Sequence, residues 1–114
     1  MIKYAGSPGV TSVKDANPTL IPMTIKLHQN YPNPFNPETT LTYELPQTMW
    51  VKLEVYNITG QKVSTLVNSK QSVGQYSVKW HGKDDSGNHL SSGVYLYRLQ
   101  AGSFVQSHQM LLVR

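Results

Sequence analysis

Val51-Lys52-Leu53-Glu54-Val55-Tyr56 places three aliphatic residues at alternate positions, with two charges and a tyrosine between them. Successive side chains of an extended chain point to opposite sides, so this alternation belongs to a strand with one face in a core and one in water. Asn57 to Gly60 follows as a turn. The same period of two recurs on both sides of it. Upstream, Leu41, Tyr43 and Leu45 alternate with Thr40, Thr42 and Glu44 until Pro46 ends the run. Downstream, Val63 to Val67 gives a shorter strand with imperfect alternation, and Tyr76, Val78 and Trp80 alternate with Ser77 and Lys79. Tyr95, Tyr97 and Leu99 then face one way, with Val94, Leu96 and Arg98 the other. Ala101-Gly102-Ser103 turns the chain into a last strand ending at Leu111, Leu112 and Val113. These runs are short, rich in Val, Tyr, Thr and Leu, and separated by turn residues. No window carries a helical period, so the chain reads as an all-β antiparallel sandwich of Greek-key type. Six strands are clear, and a seventh is expected near Leu90 or Leu20.

Ahead of the first strand, Tyr31-Pro32-Asn33-Pro34-Phe35-Asn36-Pro37 carries three prolines at positions 32, 34 and 37. Each removes an N–H donor and pushes the residue before it away from the helical region. This segment is expected to be a stiff lead-in, with Tyr31 and Phe35 pinning it to the core. Residues 1–26 are broken by Gly6, Pro8, Gly9, Pro18 and Pro22 and read as a linker or the tail of a preceding region, which leaves 27–114 as the domain.

Composition narrows function by exclusion. The 114 residues contain no cysteine, which removes disulfides, thiolate metal sites and cysteine nucleophiles. Net charge is +4, but the ten Lys and Arg residues are scattered and form no run, so no nucleic-acid partner is expected. No stretch approaches the ~20 apolar residues that span a bilayer. Met1 to Lys26 lacks the apolar core of a signal peptide, so an exported protein of this sequence is expected to carry its signal in a longer precursor, with Met1 starting a fragment. His28, His81, His89 and His108 show no metal-ligand spacing, although His81 and His89 flank one acidic turn. That turn, Asp84-Asp85-Ser86-Gly87-Asn88, is rich in oxygen but lacks the calcium-loop spacing, and ordinary turn chemistry accounts for it. No Ser lies in a G-x-S-x-G elbow, no phosphate loop occurs, and the carboxylates form no acid–base pair. No catalytic residue, cofactor or metal is therefore assigned. Trp80 shares parity with Tyr76 and Val78 and belongs in the core. Trp50 shares parity with Lys52 and Glu54, which puts it outside or at a strand end. Exposed there, it would form with exposed tyrosines the platform of a carbohydrate- or surface-binding accessory module of an extracellular enzyme, an alternative that stands beside a purely structural accessory module.

Larger stretches then fall into a known order. Leu27-His28-Gln29-Asn30-Tyr31-Pro32-Asn33-Pro34-Phe35-Asn36-Pro37 resembles the opening of the type A C-terminal sorting domains of the type IX (Por) secretion system. So do Thr39-Thr40-Leu41, Val55-Tyr56-Asn57-Ile58-Thr59-Gly60-Gln61-Lys62-Val63 and Gly74-Gln75-Tyr76-Ser77-Val78-Lys79-Trp80. Ser92-Gly93-Val94-Tyr95-Leu96-Tyr97-Arg98-Leu99 and Met110-Leu111-Leu112-Val113-Arg114 complete the pattern. The immunoglobulin-like domain of flagellar hook-capping proteins is similar over the middle of it. Two departures stand out: His81 replaces the Asp that usually follows the Trp, and Ser107-His108-Gln109 replaces a more basic run.

The resemblance implies an immunoglobulin-like antiparallel β-sandwich of about seven strands, monomeric and non-catalytic, at the C-terminus of a secreted enzyme or adhesin. Its partners would be the outer-membrane secretion machinery, a sortase-like processing protein and an upstream cargo domain of the same precursor. Its place would be the cell surface or the medium, reached through the periplasm. Asn33, Pro34, Phe35, Gly60, Trp80, Gly93, Tyr95 and Tyr97 are the motif positions expected to shape the fold. Gly60, Gly74, Gly82, Gly87, Gly93 and Gly102 lie between strands, where positive φ is often demanded. Met110, Leu111, Leu112, Val113 and Arg114 are the residues expected to be recognised. Met110 and Leu112 share one face of the last strand and Leu111 and Val113 the other, so both faces are apolar. The edge of that strand is expected to be open to pairing by a partner, and the last five residues to be removable with little loss of stability.

Overall fold

The computed structural model describes residues 24–114. Seven strands follow one another without a helix: β1 (Lys26–Leu27), β2 (Thr39–Leu45), β3 (Met49–Tyr56), β4 (Lys62–Gln71), β5 (Gly74–Trp80), β6 (Gly93–Ala101) and β7 (Phe104–Leu112). They form two antiparallel sheets, ordered β1-β2-β5 and β4-β3-β6-β7. Among the described residues the additional strand is β1, not a strand at Leu90. Leu90 lies in the connection before β6, and Leu20 is outside the described residues. The two-residue β1 is too short to show a period, which is why the sequence pattern missed it. It begins at Lys26, and Ile25 already packs against the core. The rest of the expected 1–26 linker, apart from Thr24, lies outside the described residues.

The period of two sends alternate side chains inward from both sheets. Leu41, Tyr43 and Leu45 of β2 meet Val51, Leu53 and Val55 of β3, all fully buried, with Tyr95, Tyr97 and Leu99 of β6. Trp80 closes one end, edge-on to Tyr95 at 5.8 Å and tilted against Phe35 at 5.8 Å. Such offset and edge-to-face arrangements add to the area that the rings bury. Tyr76 is only half-buried and stacks on Tyr43 at 5.4 Å.

Two bulges explain the imperfect alternation of β4. Its register on β3 slips between Leu53 and Glu54, and again between Val55 and Tyr56. Leu66 and Val63 are the extra residues, and each slip restores an apolar side chain to the core side.

The proline-rich lead-in joins the two sheets. The amides of His28 and Tyr31 donate to the carbonyls of Thr42 and Thr40 on β2 at 2.9 and 3.0 Å. Further along, the Phe35 amide donates to Leu111 O, and its carbonyl accepts from Val113 N, at 3.0 and 2.8 Å. The prolines leave Tyr31 and Phe35 their N–H groups, and both are used. Only Phe35 also buries its ring. Tyr31 is 81 % exposed and holds through its backbone alone, contrary to the expectation for its side chain.

The C-terminal strand as candidate functional site

The expected recognition residues Met110 to Arg114 do not form one surface. Met110 and Leu112 point between the sheets and are fully buried. Leu111 and Val113 point outward, 38 % and 42 % exposed. Leu111 lies directly across the strand pair from Val94, which is exposed beside it. Past Val94 a shallow groove runs to the turn between β3 and β4, where Ile58 is 74 % exposed. The apolar outer face expected for the terminal strand is thus present, and Val94 and Ile58 extend it. The sequence pattern did not single these two out, because an isolated exposed apolar residue is common on any surface.

Arg114 carries structure rather than a free terminal cation. Its Nε and one terminal nitrogen donate to the carbonyls of Leu90 and Gly82 at 2.5 and 2.6 Å, and its amide donates to Ser92 Oγ at 2.9 Å. The last residue therefore ties down the long β5–β6 connection. Gly82 makes this possible: at φ +68°, a Cβ there would stand 2.9 Å from the guanidinium and 3.2 Å from Leu112.

The terminal edge is not open. Asn33 Oδ1 accepts the Leu111 amide at 2.9 Å, Phe35 brackets Leu111 to Val113, and Gln29 Nε2 donates to Gln109 O at 2.8 Å. The expectation of a free edge over these residues is corrected: the lead-in already occupies it. Asn33 and Phe35 earn their place in the motif by this closure, and Pro34 between them needs no donor.

The remaining motif residues are structural in their contacts. Tyr97 accepts the Asn30 amide and donates to the His28 carbonyl, each at 2.7 Å, so one buried hydroxyl anchors the lead-in. Burial pushes this hydroxyl up to about 12, against the Asn30 amide, which lowers it. Asn30 itself is buried, its Nδ2 donating to Pro32 O and Thr39 Oγ1. No period marks such a residue, and the sequence reading missed it. Tyr95 donates to Ser91 O, and Trp80 Nε1 to Lys83 O. All six named glycines have positive φ; Gly60 at +90° closes the β3–β4 turn through its amide to Asn57 O, and Gly93 opens β6 opposite Leu112.

The acidic turn satisfies itself. Asp84 Oδ1 accepts the amides of Asn88 and Ser86 at 2.9 and 3.0 Å, and these hydrogen bonds, that of Asn88 first, hold its carboxyl below the usual range. Asp85 reaches across to β4 and accepts the Thr65 amide at 2.9 Å. Among the described residues no three His, Asp or Glu side chains converge as a metal site. An unforeseen cluster sits on the outer face of the larger sheet, where Glu54 is buried. Burial acts to raise its carboxyl, but the Tyr56 hydroxyl at 2.8 Å, with Lys52 and Lys62, outweighs it and lowers it on balance. Arg98 lies 4.8 Å over the Tyr56 ring and covers the cluster.

A sandwich with these strand orders, joined by Greek-key crossings, is an immunoglobulin-like domain. The family model of the FlgD Ig-like domain matches residues 33–103, more than half of the chain, and the protein belongs to that family. No functionally curated protein matches it. Among solved structures it is similar to a part of PorZ, an essential bacterial surface component of the type IX secretion system of Porphyromonas gingivalis. That match has 18 % identity and a TM-score of 0.53 over 79 % of this chain and 11 % of PorZ. It is also similar to a part of dimeric latent PorU from the same organism, with 22 % identity and a TM-score of 0.62 over 90 % of this chain and 10 % of PorU. The chain thus spans about a tenth of the length of each.

Proposed function

We propose that this domain is a non-catalytic C-terminal sorting module that directs a larger exported protein through the type IX secretion system to the cell surface or the medium. The sequence resemblance over residues 27–114 supports this reading, as does the likeness of the sandwich to parts of PorZ and PorU. The observation that carries the site is the division of the terminal strand. Leu111 and Val113 stand on the surface beside Val94, while Met110 and Leu112 hold the same strand in the core. A receptor can then read an apolar strip on a folded sandwich, in line with the use of exposed apolar patches as docking sites. The partners would be the outer-membrane machinery and a sortase-like processing protein, met after passage through the periplasm, with the cargo upstream in the same precursor.

The test is export of a periplasmic reporter fused ahead of the whole chain in a type IX-competent bacterium. The fusion is expected at the cell surface. Leu111→Ser with Val113→Ser should hold it in the periplasm while the purified domain keeps its thermal transition. Export of the double variant at the unmodified level would sink the terminal-strip reading, and retention of the unmodified fusion would sink the sorting function itself.

A further inference from the structure

The outer face of the larger sheet carries a second feature, distant in role from the terminal strip. Trp50 on β3 is 58 % exposed, the most open of the aromatic rings borne by the strands. Its Nε1 donates to Asn68 Oδ1 on β4 at 2.8 Å, an exposed hydrogen bond that favours one placement of the ring. Lys70 stands directly opposite Trp50 across the strand pair, and Lys52 is the next residue along β3 on the same face, opposite Gln100 of β6. Neither Lys52 nor Lys70 forms an ion pair among the described residues. The nearest carboxylate along this face of β3, Glu54, makes its close ion pairs with Arg98 and Lys62, and Lys52 acts on it only at longer range. The result is an exposed indole flanked by two lysine ammonium groups outside any close ion pair among the described residues, and by side-chain amides.

We propose that this face binds an acidic polysaccharide. One C–H face of a pyranose ring would lie on the Trp50 indole. A carboxylate or sulfate on that ring or its neighbour would meet Lys52 or Lys70, and the amides of Asn68 and Gln100 would take hydroxyl groups. An indole already biased by this hydrogen bond loses less freedom when a sugar stacks on it. Charge complementarity selects an anionic chain. A protein partner fits less well, since lysine is depleted in the centre of protein interfaces and this face offers one aromatic anchor among polar groups. Single-stranded nucleic acid is read by successive aromatic platforms along a groove, whereas here Tyr56, the other ring of β3 on this face, is covered by Arg98.

The experiment uses the whole 114-residue chain with polygalacturonate, neutral dextran and single-stranded DNA as probes. Trp80 is buried, so solvent-sensitive tryptophan emission reports on Trp50. Polygalacturonate should move that emission to shorter wavelength, with affinity falling as salt is raised. Calorimetry should show at least tenfold weaker binding for Trp50→Ala and several-fold weaker binding for Lys52→Gln with Lys70→Gln. Thermal unfolding should show all variants folded, and Leu111→Ser should bind as the unmodified chain does, which separates this face from the sorting strip. The proposal is overturned if Trp50→Ala binds equally well, if polygalacturonate leaves the emission unchanged, if dextran binds as tightly, or if DNA binds more tightly.

Discussion

Tyr97 shows how much one side chain can hold in a domain without disulfides. Its hydroxyl is the sole link from β6 to two backbone groups of the lead-in, the Asn30 amide and the His28 carbonyl. Removing the oxygen leaves a buried donor without an acceptor, and the loss exceeds that of one exchangeable hydrogen bond. Tyr97→Phe should therefore lower the unfolding free energy by about 1–3 kcal/mol in urea titration, with the fold retained. A pH dependence follows as well. The folded-state value is raised to about 12, above the ~10 of an unfolded tyrosine. The contribution is thus fully present below pH ~10 and is lost as pH rises toward 12. Tyr43, also pushed to about 12 by burial, adds a limb of the same sign. Tyr97→Phe should flatten the alkaline loss of stability but not abolish it. An alkaline limb as steep as that of the unmodified chain would show that this hydroxyl is not kept neutral by the fold.

Elements differ in how plainly the residues announced them. β2, β3 and β6 are legible because alternate residues send one apolar face into the core, as Leu41, Leu53 and Tyr97 show. β4 is legible only in part, since its two bulges shift the period, and the strand runs on to Gln71, past the Val67 at which the apolar signal ends. β1 was not legible because two residues show no period, and the edge closure by Asn33 and Phe35 was not because it joins residues nearly eighty positions apart. The terminal strand was read correctly for parity and wrongly for consequence. Parity put Met110 and Leu112 on one face, but only the structure shows that this face lies in the core. A deletion of the last five residues therefore removes two core side chains and the Arg114 tether, and it cannot leave stability unchanged. Leu112→Ala should cost about 2–5 kcal/mol, the range for large-to-small changes at a buried aliphatic. Leu111→Ala, one residue away, should stay within about 0.5 kcal/mol. Equal losses at the two positions in denaturant titration would refute the division of the strand on which the proposed sorting surface rests.

At the scale of the molecule, two sheets that share no strand must be held in register by what crosses between them. The core does this by packing and through the Tyr43 hydroxyl, which donates to Gln71 on the other sheet, while the lead-in does it by backbone hydrogen bonds to both sheets. It pairs with β2 through His28 and Tyr31, plugs the sandwich end with Phe35 against Trp80, and closes the β7 edge at Leu111 and Val113. The terminal strand at Leu111 and Val113 is thus braced by residues near the start of the domain. A chain that begins at Glu38 loses Leu27 and Phe35 from the core and leaves Tyr97 Oη and the β7 edge without their partners. Losing a buried aromatic alone costs about 3–5 kcal/mol, and marginal domains have about 5–15 kcal/mol in all. The shortened chain should therefore show no sharp thermal transition, bind a hydrophobic dye and associate through its exposed edge. Phe35→Ala, which keeps the backbone clasp, should melt cooperatively at a lower temperature. Should the chain from Glu38 melt as sharply as the unmodified protein and within a few degrees of it, the lead-in would be a passive attachment, and the terminal strip would stand without the brace assigned to it here.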